Sequence, residues 1–316
     1  MSHKDQELIK KVKSQKVIIL ILIIVLVTIS LFFIFSKKET QTSNQDFKLL
    51  DPLRKFTAAE NYLTNIEDLR TYLRGLGEKY PDSITIYYEN INSGSNISVN
   101  KDLRLFPASL SKLVQAILIA HKVEKGDLSY DQILKVEKTD LSSESGNLYK
   151  TILNKPKTTE ELLEELIVNS DNTAQNIFKH YLNAYDYIDF QNVTGLQDLY
   201  NEDGFISAKE YTRILRVLYT SNFLKPENSE KILNYMANST FKDYLSQGIP
   251  EGVVFAHKYG ENIEYNIFAD SGIVYVPKKP YMISVIIKGK DSSLKTREEV
   301  TKLMKEISIR AYSTSK

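Results

Sequence analysis

The chain has 316 residues, 42% of them hydrophobic and 26% charged, with a formal net charge of +1. This is ordinary globular usage with enough length for a sizeable core, so wholesale disorder and collagen-like repeats are excluded. No cysteine is present, which excludes disulfides, thiolate metal sites and a thiol nucleophile, and the near-neutral charge does not mark a nucleic-acid partner.

Residues 17–36 come first. Val17 to Phe35 is apolar except for Thr28 and Ser30. About 20 such residues span a bilayer core as a helix. Lys10, Lys11, Lys13 and Lys16 precede the run, which favours a cytoplasmic stretch 1–16 and an outward remainder. Phe32 to Lys37 offers no small-residue cleavage site, so the run reads as an uncleaved signal anchor. Residues 37–55 are polar and read as a linker. The domain is then expected over 56–316.

Leu63, Ile66, Leu69, Leu73 and Leu76 recur at helical spacing, which predicts a helix over 57–78. Ser83–Tyr88 and Ile97–Val99, split by Asn92-Ser93-Gly94-Ser95, predict a hairpin. Apolar residues at 113, 116, 117, 120 and 123 predict a buried helix over 109–124. Helices are expected at 159–168, 171–184, 207–220 and 227–238. Strands follow at 253–258, 265–276 and 281–288, then a helix at 294–312. The last two strands are joined too tightly for a crossover and should pair antiparallel. The pattern predicts an α/β (α+β) fold. Its antiparallel sheet is formed by both chain ends and flanked by helices. An all-helical lobe, about 109–240, is inserted between the sheet halves.

Three short motifs carry the chemistry. Ser109-Leu110-Ser111-Lys112 opens the apolar helix, directly after Pro107-Ala108. Ser-x-x-Lys alone is uninformative, since it also begins at Ser98, Ser239, Ser292 and Ser313. At a helix start, however, positions i and i+3 share a face. A lysine buried there loses proton affinity and can take a serine proton. The plain alternative is a helix-capping serine beside a surface lysine. Ser170-Asp171-Asn172 occurs once, between two helices, where Ser and Asp also serve as ordinary caps. Lys258-Tyr259-Gly260 ends a β-rich run, where glycine lets a ligand approach the backbone.

The order and spacing of the three motifs resemble the class A β-lactamase-like family of the β-lactamase and penicillin-binding protein superfamily. Phe106-Pro107-Ala108 before Ser109, Ala256-His257 before Lys258, and Asp270-Ser271-Gly272-Ile273-Val274 extend the likeness over roughly 57–312. The resemblance implies a β-lactamase-like fold and acyl transfer with no cofactor and no metal. It implies Ser109 as nucleophile, Lys112 as its base or orienter, and Ser170 as proton relay to the leaving nitrogen. Asn172 would bond Lys112 and the substrate amide. Lys258 would bind a substrate carboxylate. Backbone N–H groups of Ser109 and Glu261, next after Gly260, would form the oxyanion hole.

Two departures bear on activity. The family's deacylating glutamate lies in a loop with a Glu-x-x-Leu-Asn pattern, and none occurs in the shortened segment 194–204 that occupies that region. Glu202 and Asp203 are the nearest carboxylates and read as solvated loop charges. Tyr259 stands where the family has threonine or serine, and its ring either clashes with a substrate or turns away. The four histidines, at 3, 121, 180 and 257, show no i, i+4 pair; His257 reads as a packed neutral side chain, and no partner is assigned to His121 or His180.

The expected function is that of a membrane-anchored extracytoplasmic serine hydrolase acting on β-lactams or related amides, with weak deacylation. A penicillin-binding-type peptidase, or an impaired member that binds wall peptide or a partner, is the alternative. The expected partners are a β-lactam or cell-wall peptide-like small molecule and, through 17–36, the membrane.

Overall fold

The computed structural model describes residues 64–196, 199, 204–289 and 294–316. The expected anchor and linker, Glu202 and Asp203 lie outside these residues. Among the described residues no helix is long and apolar enough to cross a membrane.

The sheet is antiparallel. Its strands are β1 (Ile84–Asn90), β2 (Asn96–Val99), β3 (Phe255–Asn262), β4 (Ile267–Val274) and β5 (Tyr281–Lys288), in the order β2-β1-β5-β4-β3. Strand β1 pairs with β5 in the register Tyr87↔Ser284, so strands from the two chain ends are neighbours, as expected. The antiparallel pairing of β4 with β5 is also as expected, with Gly272 opposite Ile283.

Each face of the sheet covers a core. On one face Phe268, Val274, Ile283, Val285 and Ile287 pack with α1 (Glu67–Lys79) and with the last helix, whose Val300, Met304 and Ile307 are buried. On the other face Ala256, Ala269, Ile273, Met282 and Ile286 join the core of the helical lobe. Alternation along each strand produces this split.

The lobe contains α2 (Ser111–Lys125), α3 (Thr159–Val168), α4 (Asn172–Lys179), α5 (Ala184–Thr194), α6 (Ala208–Tyr219) and α7 (Pro226–Ala237); α8 (Arg297–Thr314) closes the chain. Helix α2 is its axis. Every residue from Lys112 to Ala120 is buried, as expected of a helix apolar on nearly all sides. Gly126, at φ 82°, ends α2 in the left-handed conformation. Helix α6 ties lobe to sheet: Thr212 Oγ1 lies 2.8 Å from Ser284 Oγ.

Three expected spans change. Helix α1 begins at Glu67, after 64–66 in no regular element, while the earlier part of the predicted 57–78 helix is outside the described residues. The helix predicted over 171–184 ends at Lys179, and α5 starts afresh at Ala184. The cause is a capping box. Asn183 accepts from Tyr185 N at 2.9 Å, and Asp186 accepts from Asn183 N at 2.8 Å. Strand β3 does not end at Lys258. Its pairing with β4 continues to Asn262↔Ile267, so Lys258-Tyr259-Gly260 lies within the strand.

Candidate active site

Ser109 sits in a 3₁₀ turn, Ala108–Leu110, that leads into α2. Ala108 holds φ at 49°, a left-handed value that costs a non-glycine residue about 1–2 kcal/mol. The turn is pressed against β3. A Cβ at Gly260 would lie 2.8 Å from Ser109 N and 2.9 Å from Pro107 O. Glycine is therefore the residue that lets β3 and the Ser109 turn approach.

Lys112 is one turn further along and fully buried. Its Nζ donates to Asn172 Oδ1 at 2.5 Å, to Ser170 Oγ at 3.2 Å and to the Ser170 carbonyl. All three bonds run to the Ser170–Asn172 segment, and none runs to Ser109. Burial pushes the Lys112 ammonium down to about 7, against the opposing pull of Asp171.

Ser170 has φ 54° and no exposure. Asp171 caps α4, accepting from Ala174 N at 3.0 Å, and its other oxygen accepts from Leu148 N at 2.9 Å. Burial raises the Asp171 carboxyl, while the backbone N–H groups around it pull the other way.

A neighbouring loop completes the support. Ser145 Oγ donates to the Ser170 carbonyl at 2.9 Å, and Asn172 N donates to Ser145 O at 3.0 Å. Asn172 Nδ2 donates to Glu144 Oε2 at 3.1 Å. Gly146, at φ 82°, leaves room for Asp171: a Cβ there would fall 1.9 Å from its Oδ2.

Lys258 enters from β3 and is also fully buried. Its Nζ bonds Tyr259 O at 3.1 Å. Burial holds its ammonium well below the usual lysine range, and the charge of Lys112 presses the same way. Behind it, His257 Nδ1 lies 2.8 Å from Asp270 Oδ1, and its ring stacks on Phe255 at 4.4 Å. His257 is thus packed, as expected. The Glu261 side chain bonds Tyr244 and Arg297, the latter at 2.8 Å, so it is taken up away from Ser109. Its backbone follows directly on Gly260 beside the serine turn.

Ser109, Lys112, Ser170, Asn172, Lys258 and Gly260 thus meet where α2, the start of α4 and β3 converge. Sequence reasoning missed Glu144, Ser145 and Gly146, whose loop has no periodic signal. It also missed Phe241, which stacks on Tyr259. His180 does have a partner: Nε2 lies 2.7 Å from Asp140 Oδ1, away from this site. Among the described residues no group of three or more His, Cys, Asp or Glu side chains is placed to hold a metal ion.

The family model described as "Beta-lactamase enzyme family" matches residues 68–314. The chain belongs to that family. Its members are serine hydrolases acting on amide bonds. Solved structures share the fold. PBP-A is 22% identical, with TM-score 0.68, covering 78% of this chain and 95% of that one. The TLA-3 extended-spectrum beta-lactamase is 20% identical, with TM-score 0.68 and coverage of 79% and 98%. The beta-lactamase from Sphaerobacter thermophilus is 18% identical, with TM-score 0.70 and coverage of 78% and 97%. No curated protein matches the chain.

Proposed function

We propose that this β-lactamase-family domain forms an acyl-enzyme on Ser109 with β-lactams or related amides and releases it slowly. The observation that carries the reading is the buried Lys112 amine, near pKa 7 and 3.2 Å from Ser170 Oγ. A group titrating there is neutral often enough to accept a proton and acidic enough to return it. Ser109 Oγ attacks the carbonyl carbon, and its proton passes to neutral Lys112. The N–H groups of Ser109 and Glu261 hold the oxyanion. Ser170, bonded to Lys112, hands the proton to the leaving nitrogen as the C–N bond breaks. Water then hydrolyses the ester.

That last step lacks the family's loop glutamate: the segment 194–204 has no Glu-x-x-Leu-Asn pattern, and the one match further on, Glu230 to Asn234, lies within α7. General-base help is worth about 10²–10⁴-fold, so a long-lived ester follows. A leucine-to-glutamate mutant of PBP-A, one of the structural neighbours, is known as an acyl-enzyme complex with penicillin G. The same missing glutamate favours, as a second reading, a penicillin-binding-type peptidase on wall peptides. The apolar run 17–36 supports placing the domain outside the membrane, on a single anchor.

Intact-mass spectrometry of residues 37–316 with penicillin G tests this, beside a Ser109→Ala control. The expected result is a persistent adduct absent from the control. Rapid hydrolysis without an adduct would overturn slow deacylation. Neither adduct nor hydrolysis would overturn acyl transfer on β-lactams. In the same assay Gly260→Ala should slow adduct formation about 10²-fold, because its methyl displaces the backbone of the Ser109 turn. An unchanged rate would show that the contact between β3 and the turn is dispensable.

A further inference from the structure

Lys258 lies on β3, one of the two edge strands of the sheet, yet has no solvent exposure. An edge lysine ordinarily reaches water. Here it lies against the Tyr259 ring, with Nζ 4.5 Å from the ring centroid. The ring is itself held in place. It stacks on Phe241 with centroids 3.6 Å apart and planes 8° from parallel. The Tyr259 ring is therefore held between Phe241 and Lys258. Ser170 and Lys112 are sealed with Lys258, while Ser109 stays partly exposed.

An anion entering the cleft pairs with the Lys258 amine only in its protonated form, and the Tyr259 ring lies against that amine. A carboxylate must displace the ring from both Phe241 and Lys258 before it can be paired. If it cannot, it is desolvated without a partner, which is costly. A neutral ester or amide needs no such partner and meets only Ser109.

We propose that Tyr259 is a specificity-determining residue that shields Lys258 from anions, so that Ser109 is acylated preferentially by substrates with no carboxylate beside the scissile carbonyl. This rests on the acyl-transfer reading of Ser109.

The test has two arms. In the first, acylation by penicillin G, which carries a carboxylate, is compared with acylation by p-nitrophenyl acetate, which does not. Tyr259→Thr should raise the penicillin rate about tenfold or more relative to the ester rate. Tyr259→Phe keeps the ring and should retain the wild-type preference. An unchanged ratio in Tyr259→Thr, or an equal shift in Tyr259→Phe, would overturn the proposal.

The second arm needs no acyl transfer. In a Ser109→Ala background, trinitrobenzenesulfonate, an anionic amine reagent, labels accessible lysines, and peptide masses locate the label. Lys258 should be protected with tyrosine at 259 and labelled with threonine there. Equal labelling would overturn the shield. Protection that depends on Tyr259, with no Ser109-dependent reaction in the first arm, would support the shield while overturning the acyl-transfer reading.

Discussion

Lys112→Met should slow acylation of Ser109 by about 10²–10⁴-fold, the usual worth of a positioned general base. It should also erase the pH dependence of that step. Burial places the Lys112 ammonium at about 7. Below that pH the amine is protonated and cannot take the serine proton, so the wild-type rate falls about tenfold per pH unit. Above it the rate levels off. Adduct formation followed by mass from about pH 5 to about pH 9 reads both effects. A wild-type rate flat across pH 7, or a Lys112→Met variant that keeps the rise, would remove Lys112 from the proton path.

The same group links stability to pH with a definite sign. The unfolded chain protonates Lys112 below its ordinary 10.5, and the folded protein only below about 7. Between these values the unfolded state binds the extra proton. Its contribution to stability therefore rises with pH through that window. Lys112→Met should remove this increment from urea unfolding curves recorded across it.

Asp171→Ala should cost about 2–4 kcal/mol of folding stability. The cap to Ala174 N is worth ~1 kcal/mol, and stranding the buried N–H of Leu148 adds about 1–3 kcal/mol. The damage is not confined to α4. Asp171 lies between Ser170 and Asn172, and both bond Lys112. Acylation should therefore fall along with stability. Asp171→Asn keeps one acceptor oxygen and should recover part of both. A loss below about 1 kcal/mol in urea titration would show that the segment is held by its other bonds.

Much of this arrangement is legible from residue order. Thr158 with Glu161, Ser207 with Glu210, and Thr296 with Glu299 are capping boxes, and each marks a helix start to within a residue or two. The strand ends were harder. Lys258-Tyr259-Gly260-Glu261-Asn262 is polar and contains glycine, so it reads as a turn. It is a strand because β4 pairs with it. The missed start of α5 has a similar origin: Asn183-x-x-Asp186 is a weaker written signal than Ser-x-x-Glu, and Tyr181-Leu182 extends the apolar pattern across the break. The motif residues of the site announce themselves by order and spacing. Their supports do not. Glu144, Ser145 and Gly146 act on residues about 25 positions away, and nothing local in Ser-Glu-Ser-Gly records it. The orientation of the Tyr259 ring depends on Phe241 and could not be read from the Lys-x-Gly motif.

The pairing of β1 with β5 has a consequence for how the protein is made. The two strands lie about two hundred positions apart, and Tyr88 Oη reaches Ser315 Oγ at 2.8 Å, 227 residues on. Loops of that size close slowly, and contacts of such range form late. During synthesis α2 to α7 emerge with Ser109, Lys112 and Ser170 long before Lys258. The strand that must lie against the Ser109 turn arrives only in the last quarter of the chain. Until then β1 presents an unpaired edge, the kind of surface on which nascent chains aggregate. Assembly of the reactive constellation thus waits for completion of the polypeptide, and a prematurely terminated chain would carry the serine without its β3 wall.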